Sequence, residues 1–261
     1  MKSRVVGAFI LLVLLVGSLL ISKEAFALVI LVGAILGYRE LMNIKFGKKE
    51  NNFEIVRFIG YVCLILIVLN SVFYELDSRM LFVIPMLGLT IPIVIYNDSK
   101  RYNINDALFI IGVVMFMGLS FNNIIYMNSL DTFKCILIFI IAFITDTYAY
   151  IGGLLIGKHK LTSISPKKTK EGTVVGTLMG TIIGSLYYYT FIGGLSVPII
   201  ILICFILTIL SEIGDLVFSS IKRYFNVKDY SNLIPGHGGI LDRFDSVIFV
   251  SLGLLVITSL L

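Results

Sequence analysis

Charge is what this sequence lacks most. Of its 261 residues only 14% are Asp, Glu, Lys or Arg, while 58% are hydrophobic. A soluble domain carries about 25% charged residues, so the shortage excludes an ordinary soluble protein and points to an integral membrane one. Cysteine is nearly absent too. Cys63, Cys135 and Cys204 lie far apart, each inside an apolar run, which excludes a metal-type pair and a disulfide framework and leaves three small buried hydrophobes. Histidine occurs only at positions 159 and 237. There is no low-complexity segment and no internal repeat, and the absence of paired broken helices in two similar halves weighs against a secondary transporter. The formal net charge of +5 fits the positive loops of a membrane protein better than a nucleic-acid surface.

What is present is a succession of lipid-length apolar runs. Windows of ~20 apolar residues mark spans, and nine are found, near 5–21, 25–43, 55–74, 80–96, 107–126, 133–156, 173–191, 197–219 and 244–261. The first resembles a signal peptide, with Lys2 and Arg4 ahead of it, but no small-x-small cleavage site follows, so it reads as retained. The fourth is interrupted by Pro85 and Pro92 and reads as kinked or re-entrant. With nine spans and a cytoplasmic N-terminus, every Lys and Arg except Lys23, Arg79 and Lys134 falls on the inside, a bias that fixes orientation and places the C-terminus outside. The expected fold is therefore an all-α integral membrane protein with about nine transmembrane helices. Residues 1–130 form a transmembrane region serving as scaffold, in dimerisation or in lipid access, and residues 131–261 form a catalytic region with a polar site on the cytoplasmic side. The first half, to about Tyr126, offers little chemistry, and Asn43–Glu54 reads as a basic loop.

The chemistry gathers in Ser211–Ser246, between two apolar runs. Ionised groups beside or inside lipid-length segments are costly and are functional candidates by default. Glu212, Asp215, Ser219 and Lys222 fall at i, i+3, i+7 and i+10, one polar stripe on a helix continuing from the preceding span. Asp242 and Asp245 share a face at the start of the last span. Between the two lies Pro235-Gly236-His237-Gly238-Gly239, whose glycines let backbone N–H groups approach a ligand. Carboxylates on two helix ends beside Lys222, Arg223 and Lys228 suit Mg²⁺ and phosphate oxygens together.

A second cluster precedes it. Asp146 sits inside a span, in Thr145-Asp146-Thr147-Tyr148-Ala149-Tyr150, and Gly152, Gly153 and Gly157 follow. The loop Lys158–Gly172 then supplies hydroxyls, a proline-set turn at Pro166 and several ammonium groups before the next helix starts. Helix N-termini and lysines both favour phosphate. The loop has no run of glycines before Gly-Lys-Ser/Thr, which disfavours a P-loop ATPase. His159 adds to the basic loop, whereas His237 is placed to donate to a phosphate oxygen.

These two stretches resemble the phosphatidate cytidylyltransferase (CDP-diacylglycerol synthase) family. The resemblance rests on Thr145-Asp146-Thr147 leading into Gly157-Lys158 and Ser165-Pro166-Lys167-Lys168-Thr169-x-Glu171-Gly172, and on Ser219/Ser220-x-Lys222-Arg223 through Lys228-Asp229 and Pro235-Gly236-His237-Gly238-Gly239 to Asp242-Arg243-x-Asp245. It covers roughly residues 140–250 in the family's order; Tyr148 and Lys170 depart from residues common there, glycine and an aromatic. The resemblance implies transfer of CMP from CTP to phosphatidate in phospholipid biosynthesis, in a homodimer in the bacterial cytoplasmic membrane with its site facing the cytoplasm. The residues, read with it, assign Asp215, Asp242 and Asp245 to Mg²⁺, with room for a second cation such as K⁺. Lys222 and Arg223 join these three in the catalytic set, and Asp146, Ser165, Lys167, Lys168, Glu171, Ser219, Lys228, His237 and Arg243 contact substrate or its phosphates. A CTP-dependent lipid kinase and a cytidylyltransferase for another lipid phosphate remain open on the residues alone.

Overall fold

In a computed structural model the described residues are 13–47, 54–74, 76–231, 233 and 238–261. Among them every named element is helical, and Lys160 and Thr169 form an isolated antiparallel bridge. The helices are α1 (Lys23–Phe46), α2 (Glu54–Val68), α3 (Ser78–Tyr96), α4 (Ile104–Leu130), α5 (Thr132–Ile156), α6 (Lys170–Tyr187), α7 (Val197–Tyr224) and α8 (Leu241–Leu260). Seven of these, all but α2, are long and apolar enough to cross a membrane. The expected second, fourth, fifth and later spans match α1, α3, α4, α5, α6, α7 and α8. Of the first span, residues 13–21 are helical and the rest lies outside the described residues. The third begins as α2, 15 residues long. It continues into a π-helical turn, Asn70–Tyr74.

Helix starts follow local chemistry. Ser22 Oγ accepts from Ala25 N at 3.1 Å, Asp131 Oδ1 from Phe133 N at 2.8 Å and Thr169 Oγ1 from Gly172 N at 3.1 Å, each satisfying an orphan donor of a first turn. Pro85 and Pro92, the ground for expecting a kinked or re-entrant span, lie inside one continuous helix. Both are buried, and the Tyr102 hydroxyl donates to the Leu89 carbonyl at 2.7 Å, in the turn ahead of Pro92. Such side-chain donors compensate the backbone groups a proline disturbs.

The chain folds as two compact units, one comprising Met1–Ser129 with Asp229–Leu241 and the other Leu130–Lys228 with Asp242–Leu261. The first is packed around Phe26, Tyr38, Leu64, Ile67 and Phe121, all at most 1% exposed. Tyr38 lies against Gly60 so closely that no side chain fits there. The second unit is built on α5, α6 and α7. On α6, Gly172, Gly176, Gly180 and Gly184 recur every fourth residue and form one bare ridge. A methyl at Gly172 would fall 2.5 Å from the Ala149 carbonyl oxygen, at Gly176 2.7 Å from that of Thr145, and at Gly184 3.1 Å from Ile141. The backbones of α5 and α6 therefore touch, the packing that small residues permit between membrane helices. On the opposite side of α6, Val174, Leu178, Ile182 and Leu186 are exposed, as lipid-facing positions are.

Candidate active site

The second unit carries a cavity of about 530 Å³, lined by Asp146, Tyr150 and Gly153 from α5, Lys167, Lys168 and Thr169 from the loop, Thr173 from α6, Asp215 from α7, and Asp242, Arg243 and Asp245 from α8. That is the size of a small-molecule site. Each side chain is delivered by a feature already described. The glycine ridge sets α6 on α5 and so places Asp146 beside the loop. The stripe on α7 is one unbroken helix to Tyr224, so Glu212, Asp215, Ser219 and Lys222 share a face as their spacing requires. Asp242 lies in the first turn of α8, and Asp245 follows three residues on.

The acids are held by named partners. Lys168 Nζ lies 2.8 Å from Glu212 Oε2 and 2.8 Å from Asp215 Oδ2. Burial opposes the charge on Lys168, but Asp215 and Glu212 outweigh it and hold its ammonium above the usual lysine range. Ser219 Oγ donates to Asp215 Oδ1 at 3.1 Å. Lys222 Nζ lies 2.6 Å from Asp242 Oδ1, with both side chains largely buried. Ser246 Oγ donates to Asp146 at 3.1 Å, and the Ser246 amide donates to Asp245 Oδ1 at 2.9 Å. The loop itself is shaped by Glu171, whose Oε2 accepts from the amides of Lys158 and His159 and whose Oε1 pairs with His159 Nδ1. Leu161 N to Lys168 O and Lys170 N to His159 O, both 2.9 Å, close it further.

The structure thus brings Asp146, Asp215, Asp242, Asp245, Lys167, Lys168 and Arg243 to one cavity. Ser219 and Lys222 stand behind it as partners of Asp215 and Asp242. Glu171 shapes the loop and does not line the cavity, and Ser165 contributes its carbonyl to the Lys168 amide at 3.1 Å. Arg223 donates to the carbonyls of Ile164 and Val227, tying the loop to the end of α7, and Lys228 is exposed. His237 lies outside the described residues. Sequence reasoning passed over Glu212 and Ser246 as site partners; Glu212 was one of the acids on the stripe, but nothing in the sequence says that a lysine some forty positions earlier meets it. It also dismissed the first half, where Glu40 is 4% exposed and accepts hydrogen bonds from Ser231 Oγ, Ile240 N and Leu241 N.

The fit to a divalent cation can be judged from the donors. Asp146, Asp215, Asp242 and Asp245 offer carboxylate oxygens, the ligand type Mg²⁺ takes. As the side chains stand, no group of three His, Cys, Asp or Glu among the described residues converges closely enough to hold an ion, because ammonium groups neutralise Asp215 and Asp242 instead. The donor set matches in kind, and the two lysine pairs show that it sustains positive charge.

Comparison with known proteins shows the family. The model of the cytidylyltransferase family matches residues 2–261. The chain is 32% identical over 257 residues to a phosphatidate cytidylyltransferase of Staphylococcus haemolyticus (strain JCSC1435), 32% over 256 residues to one of Staphylococcus aureus (strain COL), and 34% over 261 residues to one of Staphylococcus epidermidis (strain ATCC 35984). In each case 96% of both chains is covered. This chain, a multi-pass membrane protein with a carboxylate- and lysine-lined cavity, belongs to the cytidylyltransferase family.

Proposed function

We infer that this protein transfers CMP from CTP to phosphatidate, giving CDP-diacylglycerol and pyrophosphate. The observation that carries the reading is the single cavity in which four aspartates meet Lys167, Lys168 and Arg243, inside a helical unit whose outer faces are apolar. A phosphate oxygen of phosphatidate attacks the α-phosphorus of CTP, and the bond to the β-phosphate oxygen breaks as pyrophosphate leaves. The nucleophile is anionic before reaction, so no strong general base is needed. The main task is to gather like charges and hold them in line, which is electrostatic work.

Lys167, Lys168 and Arg243 neutralise and orient phosphate oxygens. Lys168 is clamped between Glu212 and Asp215, on a loop braced by Glu171, so its ammonium is held at the cavity wall. Asp215, Asp242 and Asp245 would hold Mg²⁺, which would supply charge neutralisation on the phosphates, with a second cation such as K⁺ as a further candidate. Lys222 fixes the orientation of Asp242 and Ser219 that of Asp215. Asp146, anchored by Ser246, positions the nucleotide.

The proposed topology has nine spans, the N-terminus and the cavity on the cytoplasmic side where CTP is available, and the C-terminus outside; the charge bias of the loops supports it. Assembly is proposed as a homodimer. The test is product formation by purified protein in detergent with radiolabelled CTP, phosphatidate and Mg²⁺. Label in the lipid with release of pyrophosphate supports the reading. CDP release without label in the lipid overturns it in favour of a CTP-dependent kinase.

A further inference from the structure

Glu40 lies on α1, far in sequence from every residue assigned above, yet it is one of the most buried acids in the first unit. Its Oε1 accepts from Ser231 Oγ at 2.6 Å and from Ile240 N at 2.8 Å, and its Oε2 accepts from Leu241 N at 2.9 Å. Gly239 abuts the same carboxylate, where a methyl would fall 2.5 Å from Oε1. Leu241 opens α8, and Ile240, just ahead of it, has no side chain able to accept from the first turn. The N–H groups of a helix start need acceptors, and a carboxylate there also complements the positive end of the helix dipole. Glu40 provides both from another helix. A capping acid in the local sequence would have sufficed for stability alone. A cap from Glu40 instead holds the Ile240 and Leu241 amides themselves, and Asp242 is the next residue.

We propose that Glu40 is a positioning residue for the reaction: it pins the Ile240–Leu241 backbone so that Asp242 and Asp245, on the first turn of α8, enter the cavity in working geometry. Gly239 is required because only a residue without a side chain lets this backbone reach the carboxylate. The proposal deepens the cytidylyltransferase reading and rests on it.

The test compares wild type with Glu40→Gln and Glu40→Asp, and with Gly239→Ala as an independent way to push the carboxylate off the backbone. Steady-state kinetics, melting temperature and amide hydrogen exchange are measured on the same detergent-solubilised protein. Glutamine keeps the volume but loses the charge and one of the two oxygen acceptors. The expected result is a folded Glu40→Gln protein with kcat lowered about 10–100-fold, as supporting residues behind cation ligands typically are. KM for CTP stays within about threefold, half-saturating Mg²⁺ rises, and exchange at Ile240 and Leu241 accelerates. Glu40→Asp recovers part of kcat, and Gly239→Ala mimics the loss. A folded Glu40→Gln protein with kcat within twofold of wild type overturns the proposal, as does an activity loss that equals the unfolded fraction. If wild type itself makes no CDP-diacylglycerol, the functional reading has failed instead, and unchanged exchange at Ile240 and Leu241 in Glu40→Gln then rejects the hold by Glu40 on its own.

Discussion

Lys168 Nζ lies 2.8 Å from Asp215 Oδ2 and is shared with Glu212. One ammonium thus balances two carboxylates on α7 while it rides on a loop whose neighbouring Lys167 faces the cavity without an ion pair among the described residues. The two adjacent lysines have different surroundings and should fail in different ways when replaced.

Lys167→Met should leave the melting temperature unchanged and raise KM for CTP about tenfold, the worth of ~1.4 kcal/mol of lost charge contact. Lys168→Met should lower kcat strongly and also destabilise the fold, since removing one partner of a buried pair leaves an uncompensated charge, at a cost of ~3–5 kcal/mol. Thermal unfolding and steady-state kinetics on both variants check this. Equal effects at the two positions would contradict the assignment.

Asp215→Asn should reduce turnover by at least ~10²–10³-fold, the usual scale for deleting one electrostatic group aimed at a reacting centre, with normal extraction and gel-filtration behaviour. Near-normal activity would remove Asp215 from the cation site.

Chelation should abolish activity, and Mg²⁺ should restore it. A titration of Mg²⁺ into chelated protein followed by melting temperature gives a second readout, because a ligand that binds only the folded state raises stability. Activity that persists in excess chelator would exclude the divalent cation.

Gly176→Val should destabilise the second unit by at least ~1–3 kcal/mol, the cost of overpacking, because the added carbons meet the Thr145 carbonyl 2.7 Å away. Gly112→Ala, where nothing lies within 4 Å, should be neutral or gain a few tenths of a kcal/mol through helix propensity. Melting curves of the two variants side by side test whether the contact or glycine itself matters.

The long apolar runs made the helices legible, since the period and length of a membrane segment are written locally, and α7 and α8 delivered their acids to the face that the spacing predicted. The prolines of α3 left its form open, because whether Pro85 and Pro92 interrupt a helix depends on what packs around them, here a hydroxyl from Tyr102. The third run is helical as its length predicts, but at Asn70 its backbone changes from α to a π turn. Asn122 Nδ2 donates to the Val68 carbonyl and to Ser71 Oγ there, both at 3.0 Å, a long-range effect that no local pattern encodes. In the site, which residues are charged was legible and which charges pair was not. Lys168 with Glu212 and Lys222 with Asp242 span 44 and 20 positions. Glu40 was passed over with the rest of the first half, because its partners include backbone amides 200 and 201 residues away.

The bare ridge of α6 has a consequence for how this chain can drift. Positions 172, 176, 180 and 184 admit no larger residue without pushing neighbouring backbone or side-chain atoms aside, whereas Val174, Leu178, Ile182 and Leu186, two residues along from each, are exposed. One helix therefore carries two mutational regimes in strict alternation. Substitutions should accumulate freely among aliphatic residues on the outer stripe, and the inner stripe should tolerate almost none. A saturation-mutagenesis profile of α6 would reveal that four-residue rhythm without any knowledge of the chemistry performed beside it.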